Sequence, residues 1–174
     1  MITLDQRVIE TALNWHQAGQ AIWLCTVLRT WGSSPRAPGT MMAINACGDC
    51  CGSLSGGCIE EDFLARLAEG HYRISSQVVR YGDGGRQTRV QLPCGGRLDV
   101  LVEHLLPDML SGALLSAMHQ ALIGQTRMIK KLSVGERASW ERVATSAALP
   151  VLSYQDPDIV LPVGAIPEPL VAGY

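Results

Sequence analysis

A cysteine directly behind two glycines, in Gly56-Gly57-Cys58, is the feature of this sequence best suited to chemistry. The apolar spacing that follows predicts a helix from about Cys58 to Glu69, ended by Gly70 and capped by Ser55 or a glycine. Cys58 would then lie on the first helical turn, where the helix dipole and unpaired N–H groups favour a thiolate and attract phosphate. The plainer alternative is a free cysteine packed as a small hydrophobic residue after a glycine turn.

Two further loops combine small residues with a reactive or charged group. In Gly32-Ser33-Ser34-Pro35-Arg36, backbone N–H groups, the hydroxyls and the guanidinium can converge on a phosphate or carboxylate, although a plain polar turn is the alternative. Pro93-Cys94-Gly95-Gly96-Arg97 places a second cysteine beside a glycine pair. Thiolates suit molybdenum, copper(I), zinc or sulfur transfer, whereas the arginine and the serines suit an anionic organic ligand. We therefore predict that these loops and the Cys58 segment line one common cleft.

Other familiar site patterns are weak in the sequence or absent from it. Cys47-Gly48-Asp49-Cys50-Cys51 contains half of a common zinc site, but no second cysteine pair follows at a suitable spacing. A hairpin turn with incidental thiols is favoured there. The four histidines form no metal-binding pair, and the glycine patterns of dinucleotide sites, P-loops and nucleophile elbows do not occur.

Helices and β-type runs alternate along the chain and would position these loops. A Thr3-x-x-Gln6 capping box predicts an opening helix that stops at Gly19, and the apolar run Ala21–Thr30 predicts a buried central strand with Cys25 in the core. A helix is predicted from Pro107 to about Ile123. Further strands are predicted at 40–46, 77–81, 88–92 and 97–103, with a hairpin of 126–133 and 138–144. This order predicts an α+β or α/β fold, a single domain with a mixed β-sheet flanked by helices.

Residues 149–174 differ in composition from residues 1–148. They hold five prolines and few charges, which excludes a long helix. The apolar run Ile159–Ala165 predicts instead a strand that enters a glycine turn. We therefore divide the chain into a main domain, 1–148, and an apolar, proline-rich end, 149–174.

The overall composition narrows the classes of partner. A net charge of -2 and the lack of any Lys/Arg run argue against binding nucleic acid or an acidic membrane surface. Charged residues make up 17% and apolar residues 47%, so we expect another subunit, domain or partner to cover part of the surface, and we predict a homo-oligomer. The first residues lack a signal-peptide pattern and no apolar run reaches transmembrane length, which predicts a cytoplasmic protein with reduced cysteines.

At the three loops the sequence resembles the XdhC/CoxI family, accessory proteins of molybdenum hydroxylases such as xanthine dehydrogenase and carbon monoxide dehydrogenase. The matching segments are Gly32–Arg36 with Pro38-Gly39, then Gly52–Glu60, then Cys94–Arg97 leading into Val100–Glu103. Members of that family commonly continue into a second, Rossmann-like domain, and residues 159–173 resemble its first strand and glycine turn.

The resemblance implies an accessory chaperone rather than a catalyst with turnover. Such a protein binds the molybdenum cofactor (molybdopterin) as cargo, holds it for sulfuration, and delivers it to an apo-hydroxylase of the xanthine dehydrogenase type. Its partners would be that apo-enzyme and a cysteine desulfurase. The implied roles place Cys58, with Cys94, against molybdenum or its sulfur, and Ser33, Ser34 and Arg36 against the pterin phosphate. The remaining cofactor-binding residues would be Ser55, Gly56, Gly57, Gly95 and Gly96.

Two other functions remain open at the level of sequence. One is a thiol-dependent sulfurtransferase or redox enzyme with Cys58 as nucleophile and Glu60 as a nearby acid or base. The other is a protein-interaction domain in which the glycine loops are only structural.

Overall fold

Three helices and nine strands make up the part of the chain that the computed structural model describes. That part comprises residues 2–32, 36–54, 58–82 and 96–164, and Cys58 is described by its backbone only. The helices are α1 (Leu4–Gln17), α2 (Cys58–Ala68) and α3 (Met109–Leu122). The strands are β1 (Ile22–Trp31), β2 (Met41–Asn45), β3 (Cys50–Gly52), β4 (Ser76–Gly82), β5 (Arg97–Leu105), β6 (Met128–Ser133), β7 (Ser139–Arg142), β8 (Ser153–Gln155) and β9 (Asp158–Val163).

The strands form two sheets. The first sheet has five strands in the order β3-β2-β1-β5-β4, and the second has four in the order β7-β6-β9-β8. All strand pairings recorded among the described residues are antiparallel, so the sheets are antiparallel rather than mixed. This arrangement confirms the α+β alternative, since an α/β fold requires parallel strands joined by helical crossovers.

The N-terminal helix begins where its sequence predicts. The Thr3 hydroxyl accepts a hydrogen bond from the Gln6 N–H at 3.1 Å, and the Gln6 side chain accepts one from the Thr3 N–H at 2.9 Å. This confirms the capping box. The helix ends at Gln17, two residues before Gly19, which has the positive φ of +79° that suits glycine.

The start of α3 differs from the sequence prediction. Pro107 was expected in the first turn, but Asp108 is the N-cap and Met109 the first helical residue. The Asp108 carboxylate accepts a hydrogen bond from the Ser111 N–H at 3.0 Å and also pairs with Arg137. A side-chain acceptor satisfies an otherwise unpaired helical N–H, which proline at this end cannot do, so the aspartate decides the boundary.

The first sheet is covered on both faces. Cys25 and Val27 belong to the core that α2 fills with Ile59 and Phe63, whereas Leu24 belongs to the core that α1 and α3 cover on the opposite face. Alternate residues of β1 therefore enter different cores, which explains the nearly continuous apolar run. Cys25 has no exposed surface, and its predicted place in the core is confirmed.

A buried ion pair joins the two sheets. Lys130 on β6 is 0% exposed and Glu103 on β5 is 2% exposed, and the ammonium donates to the Glu103 carboxylate. Among the described residues each charge pairs with the other across the two sheets, so the pair helps to set how the second sheet packs on the first.

Strands β8 and β9 lie inside the proline-rich segment 149–174. They pair with each other, and β9 pairs with β6 from Met128↔Val163 to Ser133↔Asp158. The division of the chain at residue 149 stays a prediction. The predicted strand 88–92 lies outside the described residues. No helix of the described residues is long and apolar enough to cross a membrane.

Candidate functional site

The three chemistry-bearing loops leave the first sheet at the same end. Because all its strands are antiparallel, the ends of β1, β3 and β4 lie together with the starts of β2 and β5. The connections 32–40, 53–57 and 83–96 all leave the sheet at this end of its strands, which we call the loop-bearing end. Several site residues fall outside the described residues, so their meeting in one cleft stays a prediction: Ser33, Ser34, Ser55, Gly56, Gly57, Cys94, Gly95 and the side chain of Cys58.

Glycines bring the first and third loops into contact. A Cβ built on Gly32 would lie 3.3 Å from the Cα of Gly96. A Cβ on Gly82 would lie 2.3 Å from the carbonyl oxygen of Gly96, and Gly82 has a φ of +96°. A larger residue at Gly82 would therefore meet both backbone strain and a clash. Gly96 and Gly32, two predicted loop residues, are placed side by side. Arg36, farther along the first loop, is partly buried.

The second loop is held by Glu60, a role that sequence analysis missed. Helix α2 begins at Cys58, so the backbone of Cys58 lies in the first turn. From the same turn, Oε1 of Glu60 accepts hydrogen bonds from the Ser53 hydroxyl at 2.8 Å and from the Leu54 N–H at 2.6 Å. The sequence signal is an acidic residue in the first helical turn, placed to reach back to the preceding loop, as in a capping box.

The Cys47-to-Cys51 segment forms the hairpin that its sequence favours. The Asn45 side-chain oxygen accepts hydrogen bonds from the N–H groups of Cys47 at 3.0 Å and Asp49 at 2.9 Å, which shapes the turn between β2 and β3. Among the described residues, no group of three or more His, Cys, Asp or Glu side chains could hold a metal ion. Burial, with the charges of Glu60 and Cys51, raises the pKa of Cys50 to about 11. This thiol is therefore mainly protonated at neutral pH.

Two arginines stack on a tryptophan at the loop-bearing end. Trp31 ends β1, and its ring centre lies 4.1 Å from the guanidinium carbon of Arg97 and 5.0 Å from that of Arg80. The Nε of Arg97 is buried and has no hydrogen-bond partner among the described residues. A buried donor with no partner among the described residues is a candidate contact for a bound anion.

A third arginine, Arg29, completes what we call the arginine cluster, Arg29, Arg80 and Arg97. Its guanidinium carbon lies 4.6 Å from the ring centre of Tyr154. Asp99 is 1% exposed and its two oxygens accept from Arg80 at 2.7 and 3.1 Å. The cluster therefore places three cations and one carboxylate, that of Asp99, on the strands that lead into the first and third loops. Sequence analysis missed it, although the i, i+2 spacing of Arg29 and Trp31 puts both on one face of a strand.

Part of the sequence matches a known protein family. Residues 15–82 match the model of the XdhC and CoxI family, a segment that contains the first two loops and ends before Cys94. The molybdenum cofactor insertion chaperone PaoD of Escherichia coli (strain K12) is 29% identical over 105 residues, which are 60% of this chain and 33% of PaoD. These matches confirm the family resemblance inferred from the loops. This chain corresponds to about a third of that relative.

A solved structure shares the fold over a longer stretch. The crystal structure of a xanthine dehydrogenase from Bacillus halodurans superposes with a TM-score of 0.63 and covers 94% of this chain and 53% of that chain. The sequences are 21% identical, so the likeness concerns the fold alone.

Proposed function

Because residues 15–82 carry the XdhC and CoxI family match, we propose that this chain is a molybdenum cofactor chaperone. It binds the cofactor as cargo, holds it for sulfuration, and delivers it to a molybdenum hydroxylase of the xanthine dehydrogenase type. The observation that carries the proposal is the departure of three loops rich in glycine, serine and cysteine from one sheet end, beside the arginine cluster.

Positive charge at the loop-bearing end supports an anionic cargo. The pterin phosphate would be held by Arg36 with the hydroxyls of Ser33 and Ser34, and the arginine cluster would add a wider attractive field. Arg97 contributes most directly, because its buried Nε has no partner among the described residues and the preceding residue is Gly96 of the third loop. Part of this attraction acts through solvent, so salt should weaken binding.

In this proposal, the second and third loops supply the cysteines that contact molybdenum or its terminal sulfur. Cys58 opens α2, where the helix dipole favours a thiolate that can face molybdenum or its terminal sulfur. Cys94 belongs to the loop that enters β5 next to Gly32. In contrast, burial raises the pKa of Cys25 well above its ordinary value, so this thiol stays protonated in the core.

A chaperone fits the site better than a thiol enzyme. The enzyme alternative assigned Glu60 as acid or base, but the Glu60 carboxylate accepts hydrogen bonds from Ser53 and Leu54. A carboxylate engaged in shaping a loop is poorly placed to exchange protons with a substrate. The proposal includes a cysteine desulfurase as sulfur donor, a cytoplasmic location and self-association of the chain.

Retention of purified molybdenum cofactor after gel filtration tests cargo binding. We expect the wild-type chain to retain molybdenum and pterin in equal amounts, measured by metal analysis and pterin fluorescence. Arg97→Gln should retain less and show a weaker salt dependence. Arg142→Gln is the matched control, because Arg142 stacks on Trp140 at 5.1 Å in the second sheet, away from the loop-bearing end. Equal losses in both variants would contradict a specific role of the arginine cluster.

Reactivation of an apo-hydroxylase by the sulfurated, loaded protein tests delivery. Cys58→Ser should fold normally and deliver little active cofactor, whereas Cys47→Ser, which alters an exposed thiol of the hairpin, should deliver as the wild type does. Equal reactivation by Cys58→Ser would remove this cysteine from the chemistry. Turnover of a persulfide donor by the chain without any pterin would favour the thiol enzyme instead.

A further inference from the structure

A cavity of about 430 Å³ lies away from the Cys58 helix. Thr26 and Met41 of the first sheet line it, together with Lys130 and Leu161 of the second sheet. Because successive side chains of β1 point to opposite faces of the sheet, Thr26 faces this cavity while its neighbours Cys25 and Val27 face α2. The cavity therefore lies on the face of the first sheet opposite the helix that carries Cys58.

Two buried polar groups line the cavity and retain capacity for hydrogen bonds. Thr26 is 3% exposed, and its hydroxyl has no hydrogen-bond partner among the described residues. Lys130 is 0% exposed, and its recorded partner is Glu103. An ammonium group has three protons to donate, so bonding to a ligand does not require breaking the ion pair. Buried polar groups in native proteins are normally satisfied, which makes the Thr26 hydroxyl a candidate ligand contact.

The charges around the cavity select against an anion. Glu103 already neutralises Lys130. Asp5 also lines the cavity, and partial burial raises the pKa of its carboxyl group. Among the described residues that line the cavity, an anionic ligand would therefore meet no uncompensated cation and one carboxylate. The remaining lining is largely apolar and includes Met118 and Leu122 of α3.

We propose that this cavity binds an uncharged, mainly apolar small molecule that carries a hydrogen-bond acceptor such as a ring carbonyl. The Thr26 hydroxyl and the Lys130 ammonium donate to that acceptor, and the methionine and leucine side chains surround the apolar part. The volume lies within the range of small-molecule sites. Ala37 and Pro38 of the β1–β2 connection line the cavity and are exposed, so the cavity is open to solvent on that side. The site is independent of the proposed cofactor function.

Binding of three bicyclic probes of similar size tests the chemistry. The probes are 2-quinolinone, which is uncharged and has a ring carbonyl, naphthalene, which has no acceptor, and 2-naphthoate, which is an anion. Methionine-methyl NMR reports the location, because Met41 and Met118 line the cavity, whereas Met42 lies on the opposite face and Met109 is 90% exposed. We expect 2-quinolinone to shift the Met41 and Met118 signals saturably, with Met42 and Met109 unchanged.

Thr26→Val tests the polar contact without threatening the fold. Valine keeps the shape of the side chain and removes an unsatisfied hydroxyl, so the variant should fold at least as stably as the wild type. Its affinity for 2-quinolinone should fall about tenfold, with that for naphthalene unchanged. Thr126→Val is the matched control, because the Thr126 hydroxyl is also buried with no partner in the described part of the chain, but Thr126 is not among the cavity-lining residues.

Three results would overturn the proposal. One is the lack of saturable shifts at Met41 and Met118 with 2-quinolinone up to its solubility limit. Another is equal or tighter binding of 2-naphthoate or naphthalene to the wild type. The last is an unchanged affinity of Thr26→Val for 2-quinolinone, which would show that the hydroxyl takes no part.

Discussion

The buried ion pair between Lys130 and Glu103 makes the packing of the two sheets sensitive to a single substitution. Both side chains are almost completely buried, at 0% and 2% exposure. Lys130→Met keeps a similar side-chain length but leaves the Glu103 carboxylate buried without a cation. Removing one partner of a buried pair destabilises a protein by about 3–5 kcal/mol, because the remaining charge loses water and gains nothing in return.

This loss is large relative to the stability of a domain. Proteins of this size have a free energy of unfolding of about 5–15 kcal/mol. At about 2–4 °C for each kcal/mol in a chain of this length, Lys130→Met should lower the melting temperature by roughly 6–20 °C. The double variant Lys130→Met/Glu103→Leu removes both charges, so it should recover most of the lost stability.

Chemical unfolding followed by tryptophan fluorescence measures the free energy of unfolding of the wild type, of Lys130→Met and of the double variant. Lys131→Met is the matched control, because its ammonium lies 3.9 Å from Glu141 and both side chains are mostly exposed, at 57% and 62%. It should change the stability by less than about 1 kcal/mol. The reasoning is refuted if Lys130→Met costs no more than Lys131→Met, or if the double variant is no more stable than the single one.

Three further predictions concern the thiols, the loop contacts and a helix cap. Alkylation at neutral pH, mapped by mass spectrometry, should label Cys58 faster than Cys50, because burial raises the pKa of Cys50 to about 11. Faster labelling of Cys50 would show that Cys58 is not the reactive thiol. Gly82→Ala should destabilise the fold by about 1–3 kcal/mol more than Gly135→Ala in thermal unfolding, since both glycines have positive φ but only the former meets a backbone oxygen at 2.3 Å. Equal losses would contradict the close approach of the loops. Desolvation by itself would raise the pKa of Asp108, but hydrogen bonds from Ser111 and Arg137 outweigh it and lower this pKa overall. The stability advantage of the wild type over Asp108→Asn should therefore be present above the unfolded-state pKa and disappear as the pH falls through the folded-state pKa; urea unfolding between about pH 6 and pH 2 measures it, and a constant difference would contradict the linkage.

Sequence analysis correctly predicted the structural elements that depend on interactions between neighbouring residues. The Thr3 capping box, the start of α2 at Cys58 and the hairpin before Cys51 all depend on residues a few positions apart. The start of α3 was misplaced because proline was preferred over the neighbouring aspartate, although Asp108 provides a hydrogen-bond acceptor and Pro107 does not. The predicted strands did not reveal their order, since pairing joins residues far apart in the chain.

The candidate site was predicted in part. Its loops were recognisable because cysteine, serine and arginine beside glycines are suited to ligands, and residues 15–82 match a known family on two of them. The arginine cluster was missed because its members lie on separate strands, and only strand pairing brings Arg80 and Arg97 to Trp31. The thiol-enzyme alternative gave Glu60 the role of acid or base, whereas its carboxylate accepts hydrogen bonds from Ser53 and Leu54 of the second loop.

The sequence by itself determined the capping box of α1, the apolar strand β1 and the loops that resemble the XdhC/CoxI family, because short-range hydrogen bonds and side-chain types depend on neighbouring residues. Tertiary structure decided which loops share an edge and which side chains face each core. Cys25 and Thr26 are adjacent in the chain, yet one packs under α2 and the other lines a cavity on the opposite face. Lys130 is fully buried, and Glu103 on the other sheet compensates its charge. Burial and charge compensation depend on packing between distant segments, which no local pattern contains.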